Sequence, residues 1–321
     1  KPTLGFMLSD TYTKPFFEPG SPKWDIPKPF VLKIAACGAY IMPSVNPNQP
    51  LTQAAINEQV EKSIDLGACA CHIHVRDDNG MHTLDLKRFH EVIDNLRAKY
   101  GKENLLIDGC PEGGKDFLDT CGPLIEFKDD WETCPLTCAA VWLGNLLFIP
   151  STSKATQGMG EIMESVGIKP EMVCHDLGDI DNARRWLIDT GIVKKPYYFR
   201  ICMGEPGWGT VTNPRALMDT YRQACDRILE IDPDSKVMVS MSGRAGIWGV
   251  MLAAMYGPPI IGARIGMEDS IWMRPFDDEV IKDNPSIVAE IVKGLEFLGR
   301  RPATANEYRE MLGLPKVFDK K

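Results

Sequence analysis

The property that most limits how this chain can fold is a repeated alternation of short apolar runs with longer stretches of helical period. Eight runs read as strands: Val31–Ala36, Ala68–Val75, Leu105–Ile107, Cys138–Trp142, Glu171–Cys174, Tyr198–Met203, Lys236–Ser240 and Ile260–Ile265. They are apolar nearly throughout, as strands buried on both faces are, and that is the habit of parallel sheets covered by helices. The stretches between them carry helix punctuation. Thr52 caps a stripe of Ile56, Val60 and Ile64 that ends at Gly67. Asn213-Pro214 opens Leu217, Tyr221, Cys225 and Ile228, and Asn284-Pro285 opens Ile287, Ile291, Leu295 and Leu298. Eight such repeats in 321 residues predict an α/β fold of the (β/α)8 TIM barrel type, ahead of an open doubly wound sheet. Residues 303–313 read as an extra C-terminal helix. Residues 1–30, rich in proline and aromatics, read as an extended N-terminal arm, leaving residues 31–321 as the catalytic barrel domain.

Composition narrows the partners. The net charge of −8 argues against nucleic acid and anionic membrane, both of which need a basic footprint. No apolar run reaches the roughly 18 residues of a membrane span, and no signal-peptide pattern opens the chain. Ten cysteines without a C-x-x-C pair predict reduced, buried thiols and a cytoplasmic location.

The chemistry concentrates in Ala68-Cys69-Ala70-Cys71-His72-Ile73-His74-Val75-Arg76-Asp77. Side chains alternate along a strand, so Ala70, His72, His74 and Arg76 share one face, and Cys69, Cys71, Ile73 and Val75 the other. The second set suits packing against outer helices. The first points into the barrel, with two imidazoles and a guanidinium toward the strand's C-terminal end, where this fold places its active sites. A lone buried histidine is commonly a satisfied core residue; two at i and i+2, with an arginine at i+4, point to metal binding or catalytic use, and Arg76 becomes a candidate substrate contact.

A third ligand is sought in Arg264-Ile265-Gly266-Met267-Glu268-Asp269, where alternation turns Arg264, Gly266 and Glu268 inward. Two histidines and one carboxylate leave a coordination position open, the catalytic pattern for zinc or a similar divalent ion. Arg264 and Asp269 could also form a plain salt bridge. Asp269 should point away from Glu268 on an ideal strand, so both reach one site only if the chain turns there. Ser242-Gly243-Arg244-Ala245-Gly246, ahead of a helical stretch, is a candidate phosphate cradle, with Gly243 and Arg244 as its contacts.

Three runs in order, Ala35-Ala36-Cys37-Gly38-Ala39, His72-Ile73-His74-Val75-Arg76-Asp77-Asp78-Asn79-Gly80 and Arg264-Ile265-Gly266-Met267-Glu268-Asp269, give the chain a resemblance to the β-keto acid cleavage enzymes, over roughly residues 31–314. The resemblance implies a TIM barrel, a homotetramer, and zinc on His72, His74 and Glu268. It implies that a β-keto acid reacts with acetyl-CoA to give acetoacetate and a new acyl-CoA by a retro-Claisen step. Asp269 then resembles the base that removes the substrate's α-proton, coupled to Arg264.

This chain departs from that pattern at the substrate. Relatives acting on amino-bearing substrates have acidic residues where Tyr40 and Val173 stand here. Cys110, in Asp108-Gly109-Cys110-Pro111-Glu112-Gly113, takes the place of a serine in the loop after strand three. A pocket without those carboxylates suits a β-keto acid with an uncharged or trimethylammonium tail, 3-dehydrocarnitine being an example. Tyr40, Trp142, Trp208 and Trp248 are candidates for an aromatic box around such a cation. The alternative is a metal-dependent amidohydrolase-type hydrolase, for which His175 and Asp269 would supply ligands. Against it, the H-x-H run falls on strand two and strand six has no histidine.

Overall fold

The computed structural model describes residues 23–39, 41–143, 147–149, 151–202 and 213–318, without the side chains of 141–143 and 147–149. Eight parallel strands form the barrel: β1 Pro29–Ala35, β2 Ala70–Ile73, β3 Leu106–Gly109, β4 Trp131–Thr137, β5 Lys169–Cys174, β6 Tyr198–Ile201, β7 Lys236–Ser240 and β8 Ile260–Ile265. They follow one another around a sheet that closes where β1 pairs with both β2 and β8. Helices cover the outside: α1 Gln53–Asp65, α2 Leu86–Asn104, α3 Phe117–Glu126, α4 Ser153–Val166, α5 Leu177–Ala183, α6 Pro214–Ile231, α7 Gly246–Tyr256 and α8 Asn284–Phe297. The expected TIM barrel is therefore present. Among the described residues no helix is long and apolar enough to cross a membrane. All ten cysteines are free and buried. Of the expected N-terminal arm, residues 1–22 lie outside the described residues.

Two strands differ from expectation. The second ends at Ile73, and Val75–Arg76 instead forms a small antiparallel hairpin with His82–Thr83. The fourth strand is Trp131–Thr137, seven residues before the expected Cys138–Trp142; Val141–Leu143 belongs to a separate antiparallel hairpin with Leu147–Ile149. The reason is chemical. Trp131-Glu132-Thr133-Cys134-Pro135-Leu136-Thr137 carries a proline and three polar side chains, so it does not read as a buried strand. Its polar groups are nonetheless satisfied inside the fold. Thr133 donates to Asp108, and Glu132 receives a two-pronged bond from Arg309, at 2.6 and 2.8 Å.

Arg309 lies on α9, Ala305–Met311, the expected C-terminal helix, which stoppers the N-terminal end of the barrel. Tyr308 and Leu312 pack there with Val31, Ala70, Leu106, Tyr198 and Met238. A barrel floor filled this way leaves only the C-terminal mouth for a ligand.

The caps of α1 and α6 are Thr52 and Asn213, as read from sequence. The cap of α8 is Asp283, not Asn284. Asn284 is fully buried and does something else: its side chain accepts from the Met267 amide at 2.9 Å and donates to Ala36 O at 3.0 Å. It thereby clamps the segment after β8 to the end of β1. The two roles separate by substitution. Asp283→Ala should lower stability by about 1 kcal/mol, the value of a cap. Asn284→Ala orphans two buried backbone groups and should lower it by about 2–4 kcal/mol. Urea unfolding of both variants checks the order; equal losses would show that Asn284 is only a helix-start residue.

Candidate active site

His72 is the third residue of β2, held opposite Ala35 of β1 and Asp108 of β3. His74 lies just past the strand end. Their rings stand 5.0 Å apart, edge to face, both buried. Glu268 and Asp269 arrive from the other side because the chain does turn after β8. Gly266 adopts φ 140°, and the amides of Asp269 and Ser270 both donate to its carbonyl at 3.2 Å. Glycine is required there twice over: the φ is one that side chains disfavour, and a Cβ would stand 2.1 Å from Ala35 O. Gly38 has a related role, since a Cβ on it would lie 2.6 Å from Glu268 Cγ.

The resulting donor set fits a divalent ion. Glu268 Oε1 lies 3.5 Å from His72 Nε2 and 3.4 Å from His74 Nε2. Those separations match the edge of a tetrahedron whose bonds are about 2.0–2.1 Å, close to 3.4 Å. His72 Nε2 and Glu268 Oε2 are buried and have no hydrogen-bond partner among the described residues. His72 Nδ1 faces Asp108 Oδ2 at 2.7 Å, the arrangement that fixes a ligating histidine's tautomer and leaves Nε2 free for metal.

The electrostatics point the same way. Burial opposes charge on His74, but Cys110 and the Glu268 carboxylate carry it up to about 9; Glu268 and Asp108 likewise raise His72 against burial. A metal would take the place of those protons. Burial would raise Glu268, yet Arg264 and the two imidazoles hold it well below the carboxylate range.

Arg264 joins two carboxylates. Its Nε donates to Asp269 Oδ2 at 2.8 Å, its Nη2 to Asp269 Oδ1, and its Nη1 stands 3.1 Å from Glu268 Oε1. Burial and the neighbouring Glu268 charge raise Asp269 above an ordinary aspartate even though Arg264 pulls the other way. Asp269 is thus held in place by its partner and more basic than its type.

Beneath these residues the barrel contains a chain of buried charges that sequence reading did not single out. Lys33 Nζ lies 3.0 Å from Asp108 Oδ2 and 2.7 Å from Glu171 Oε1, and Glu171 Oε2 lies 2.9 Å from Arg200 Nε. Tyr198 donates to Glu171 and meets the Tyr308 hydroxyl at 2.6 Å. Against burial, Lys33 and His72 hold Asp108 well below its usual range. A lysine within an apolar run (Lys33) and a lone Asp or Glu near a strand end (Asp108, Glu171) were the available signals. Also missed was His82, whose ring stands 5.0 Å from that of His74 while its Nε2 bonds Glu112 O at 2.6 Å.

The other expected residues divide. Cys110 is buried within the group, its sulfur and one nitrogen each of His72 and His74 all within 4.8 Å of one another. Burial pushes Cys37 up to about 11 and Cys71 to about 12, but His74 and His72 overcome burial at Cys110 and lower it. Val173 is buried on β5, two residues beyond Glu171 and so on the same inward face. Arg76 is occupied: its guanidinium donates to the carbonyls of Gly38, Ile41 and Gly80 at 2.5, 3.0 and 2.9 Å, and so frames the loop after β1. The Gly243 amide donates to Asp269 O at 3.0 Å, while Arg244 pairs with Asp278 and stacks on Trp272 at 4.0 Å. Tyr40 and Trp208 lie outside the described residues, as does the Trp142 side chain. Trp248 is half exposed on α7, edge-on to Phe276. His175 bonds Asp179 through its backbone amide at 2.7 Å; the histidine–cysteine group formed among the described residues does not include it.

A barrel with two histidines, a carboxylate and an arginine-held aspartate at its C-terminal mouth is built as an enzyme that handles a proton beside an oxygen it can polarise. The beta-keto acid cleavage enzyme family matches residues 29–314, so the chain belongs to that family and is a carbon–carbon cleaving acyltransferase. The chain is 28% identical over 289 residues to a 3-keto-5-aminohexanoate cleavage enzyme of Fusobacterium nucleatum subsp. nucleatum, covering 89% of this chain and 98% of the relative. It is 26% identical over 320 residues to a 3,5-dioxohexanoate:acetyl-CoA acetone transferase of Paraburkholderia graminis, covering 88% and 95%. A solved structure titled as the ternary complex of ObcA with a C4-CoA adduct and oxalate superposes with a TM-score of 0.69 at 19% identity, over 84% of this chain and 68% of that one. The hydrolase alternative yields to the family match.

The buried charge chain has a measurable consequence. Lys33→Met removes the cation between Asp108 and Glu171 and leaves two carboxylates in the barrel. Breaking one side of a buried pair costs about 3–5 kcal/mol. Urea unfolding should register a loss of that size, and a loss below about 1 kcal/mol would mean that the lysine is not needed to neutralise them.

Proposed function

We propose that this protein is a zinc-dependent enzyme that condenses a β-keto acid with acetyl-CoA, releasing acetoacetate and a new acyl-CoA. The observation that carries the reading is the placing of the Arg264–Asp269 couple directly against the His72–His74–Glu268 triangle. His72, His74 and Glu268 would hold the ion, and zinc bound there would polarise the substrate's 3-keto oxygen as a Lewis acid. Asp269 removes a proton from C2 of the keto acid, and its raised basicity favours that step. Arg264 holds the carboxylate oriented throughout. The C2 carbanion attacks the thioester carbonyl of acetyl-CoA and expels the CoA thiolate. The thiolate adds to the original C3 carbonyl, the C2–C3 bond breaks, and the new acyl-CoA departs. Asp269 returns its proton to C2 of the remaining acetoacetate.

Val173 brings no charge to the inward face of β5, which supports a substrate tail without a primary amine, 3-dehydrocarnitine or a plain aliphatic chain. Tyr40 is the other substrate contact of this reading, and Arg76, whose guanidinium is held by the carbonyls of Gly38, Ile41 and Gly80, serves it by framing the loop after β1. Gly243 and Arg244 are its CoA contacts; Asp278, the partner of Arg244, is almost fully exposed, so the pair is weak and a phosphate can compete for the guanidinium. A homotetramer in the cytoplasm completes the reading, supported by the exposed Phe276 and Phe297, aromatic surface of the kind that subunits cover.

Metal analysis should find about one zinc per chain, and His72→Ala should lose it. Asp269→Asn should keep the metal and lose turnover by about 10²–10⁴-fold; near-normal turnover would reduce the couple to a structural salt bridge. Substrate choice is read from competition between 3-dehydrocarnitine, 3-oxohexanoate and 3-keto-5-aminohexanoate at equal concentration with acetyl-CoA. Preference for the primary amine would overturn the amine-free pocket, and equal use of the other two would overturn an aromatic cation box.

A further inference from the structure

We infer that Cys110 is itself a metal ligand, its thiolate closing the His72, His74 and Glu268 site with a fourth protein donor. The inference rests on the metal reading above and goes beyond it. Register places the sulfur. β2 and β3 run parallel with His72 opposite Asp108 and Ile73 opposite Gly109. Both strands end there, and His74 and Cys110 are the residues that follow them. Asp108 and Cys110 therefore stand two residues apart on one inward face, the first orienting His72 from behind and the second flanking both imidazoles from above. The sulfur and one nitrogen of each histidine fall within 4.8 Å of one another. A tetrahedral zinc with one sulfur and two nitrogen ligands has edges of about 3.4–3.6 Å, so the sulfur must close in from separations of up to 4.8 Å, and toward Glu268, which that group does not include, to complete the set. Two of the neighbouring donor groups keep a buried atom without a hydrogen-bond partner among the described residues, His72 Nε2 and Glu268 Oε2.

The fourth donor changes what the site is. Two neutral imidazoles and one carboxylate leave a dication with a net charge of +1; adding a thiolate brings the centre to neutrality. Soft sulfur favours zinc and cobalt over magnesium and manganese. A four-donor site is also closed at rest, so a substrate oxygen must displace the sulfur or enter as a fifth ligand.

Cobalt(II) substitution of the full chain tests this without using activity. The cobalt protein should show an intense near-ultraviolet sulfur-to-cobalt charge-transfer band. Cys110→Ser should lose that band while still taking up cobalt, and Cys37→Ser, which alters a neighbouring thiol that bonds His74 O, should keep it. Circular dichroism of each variant reports whether it has folded. Should Cys110→Ser not fold, Cys110→Ala takes its place in the same comparison. Cobalt uptake that needs His72 but shows no sulfur band overturns the inference and leaves the metal reading standing. A band that survives Cys110→Ser assigns the sulfur elsewhere and also overturns it. No cobalt or zinc uptake at all overturns both.

Discussion

Charge neutralisation inside the barrel is the constraint on which the rest of this structure depends. Lys33, Arg200 and Arg264 face Asp108, Glu171, Glu268 and Asp269 in a space closed to water on its sides by eight strands and below by α9. Three fixed cations meet four carboxylates. An isolated buried carboxylate is costly enough that it would otherwise take up a proton. The excess of negative charge gathers at Glu268, between two imidazoles with free nitrogens. A bound dication would answer that excess, which is the charge argument for the metal site proposed above.

The same chain of pairs transmits position. Tyr308 on the bottom plug touches Tyr198, which touches Glu171; Lys33 links Glu171 to Asp108, and Asp108 orients His72. Above the helix that carries Tyr308, the residues Tyr198, Glu171, Lys33, Asp108 and His72 sit on five different strands. The imidazole is therefore fixed by the closed sheet as a whole, and not only by β2. At the other side the Gly266 turn and the Asn284 clamp do the equivalent work for Glu268 and Asp269. A site assembled from both sides of the closure between β1, β2 and β8 exists only once the barrel has shut.

Much of this was legible in the order of residues, because strand alternation is a local rule. The period of 2 in His72-Ile73-His74 depends only on backbone geometry, and both histidines do face inward; Glu268 also reaches the site, but by the turn at Gly266 and not by alternation. The fourth strand was not legible. Thr133, Glu132 and Pro135 look unsuited to burial until Asp108 and Arg309 are brought to them from elsewhere in the chain. Lys33 and Glu171 were passed over for the same reason: a charge in an apolar run makes sense only beside its partner, and those two are 138 residues apart. Asn284 read as a cap because its neighbour proline fits that pattern, whereas its side chain is taken by carbonyl and amide groups from two other segments.

By itself, then, the sequence determined the barrel, the inward histidines and Glu268 as a candidate, since period is a property of a single strand, while Asp269 entered through the family resemblance of its motif. Only the tertiary structure decided that Glu268 and Asp269 share one site, because that needs a backbone φ that alternation forbids and a carbonyl, Ala35 O, too close for any side chain on Gly266. It also decided the placement of Cys110. In sequence this is one of ten cysteines, and the register of β2 against β3 brings it up to the imidazoles. Contacts between strands follow from how the sheet closes, and closure is a property of the whole chain.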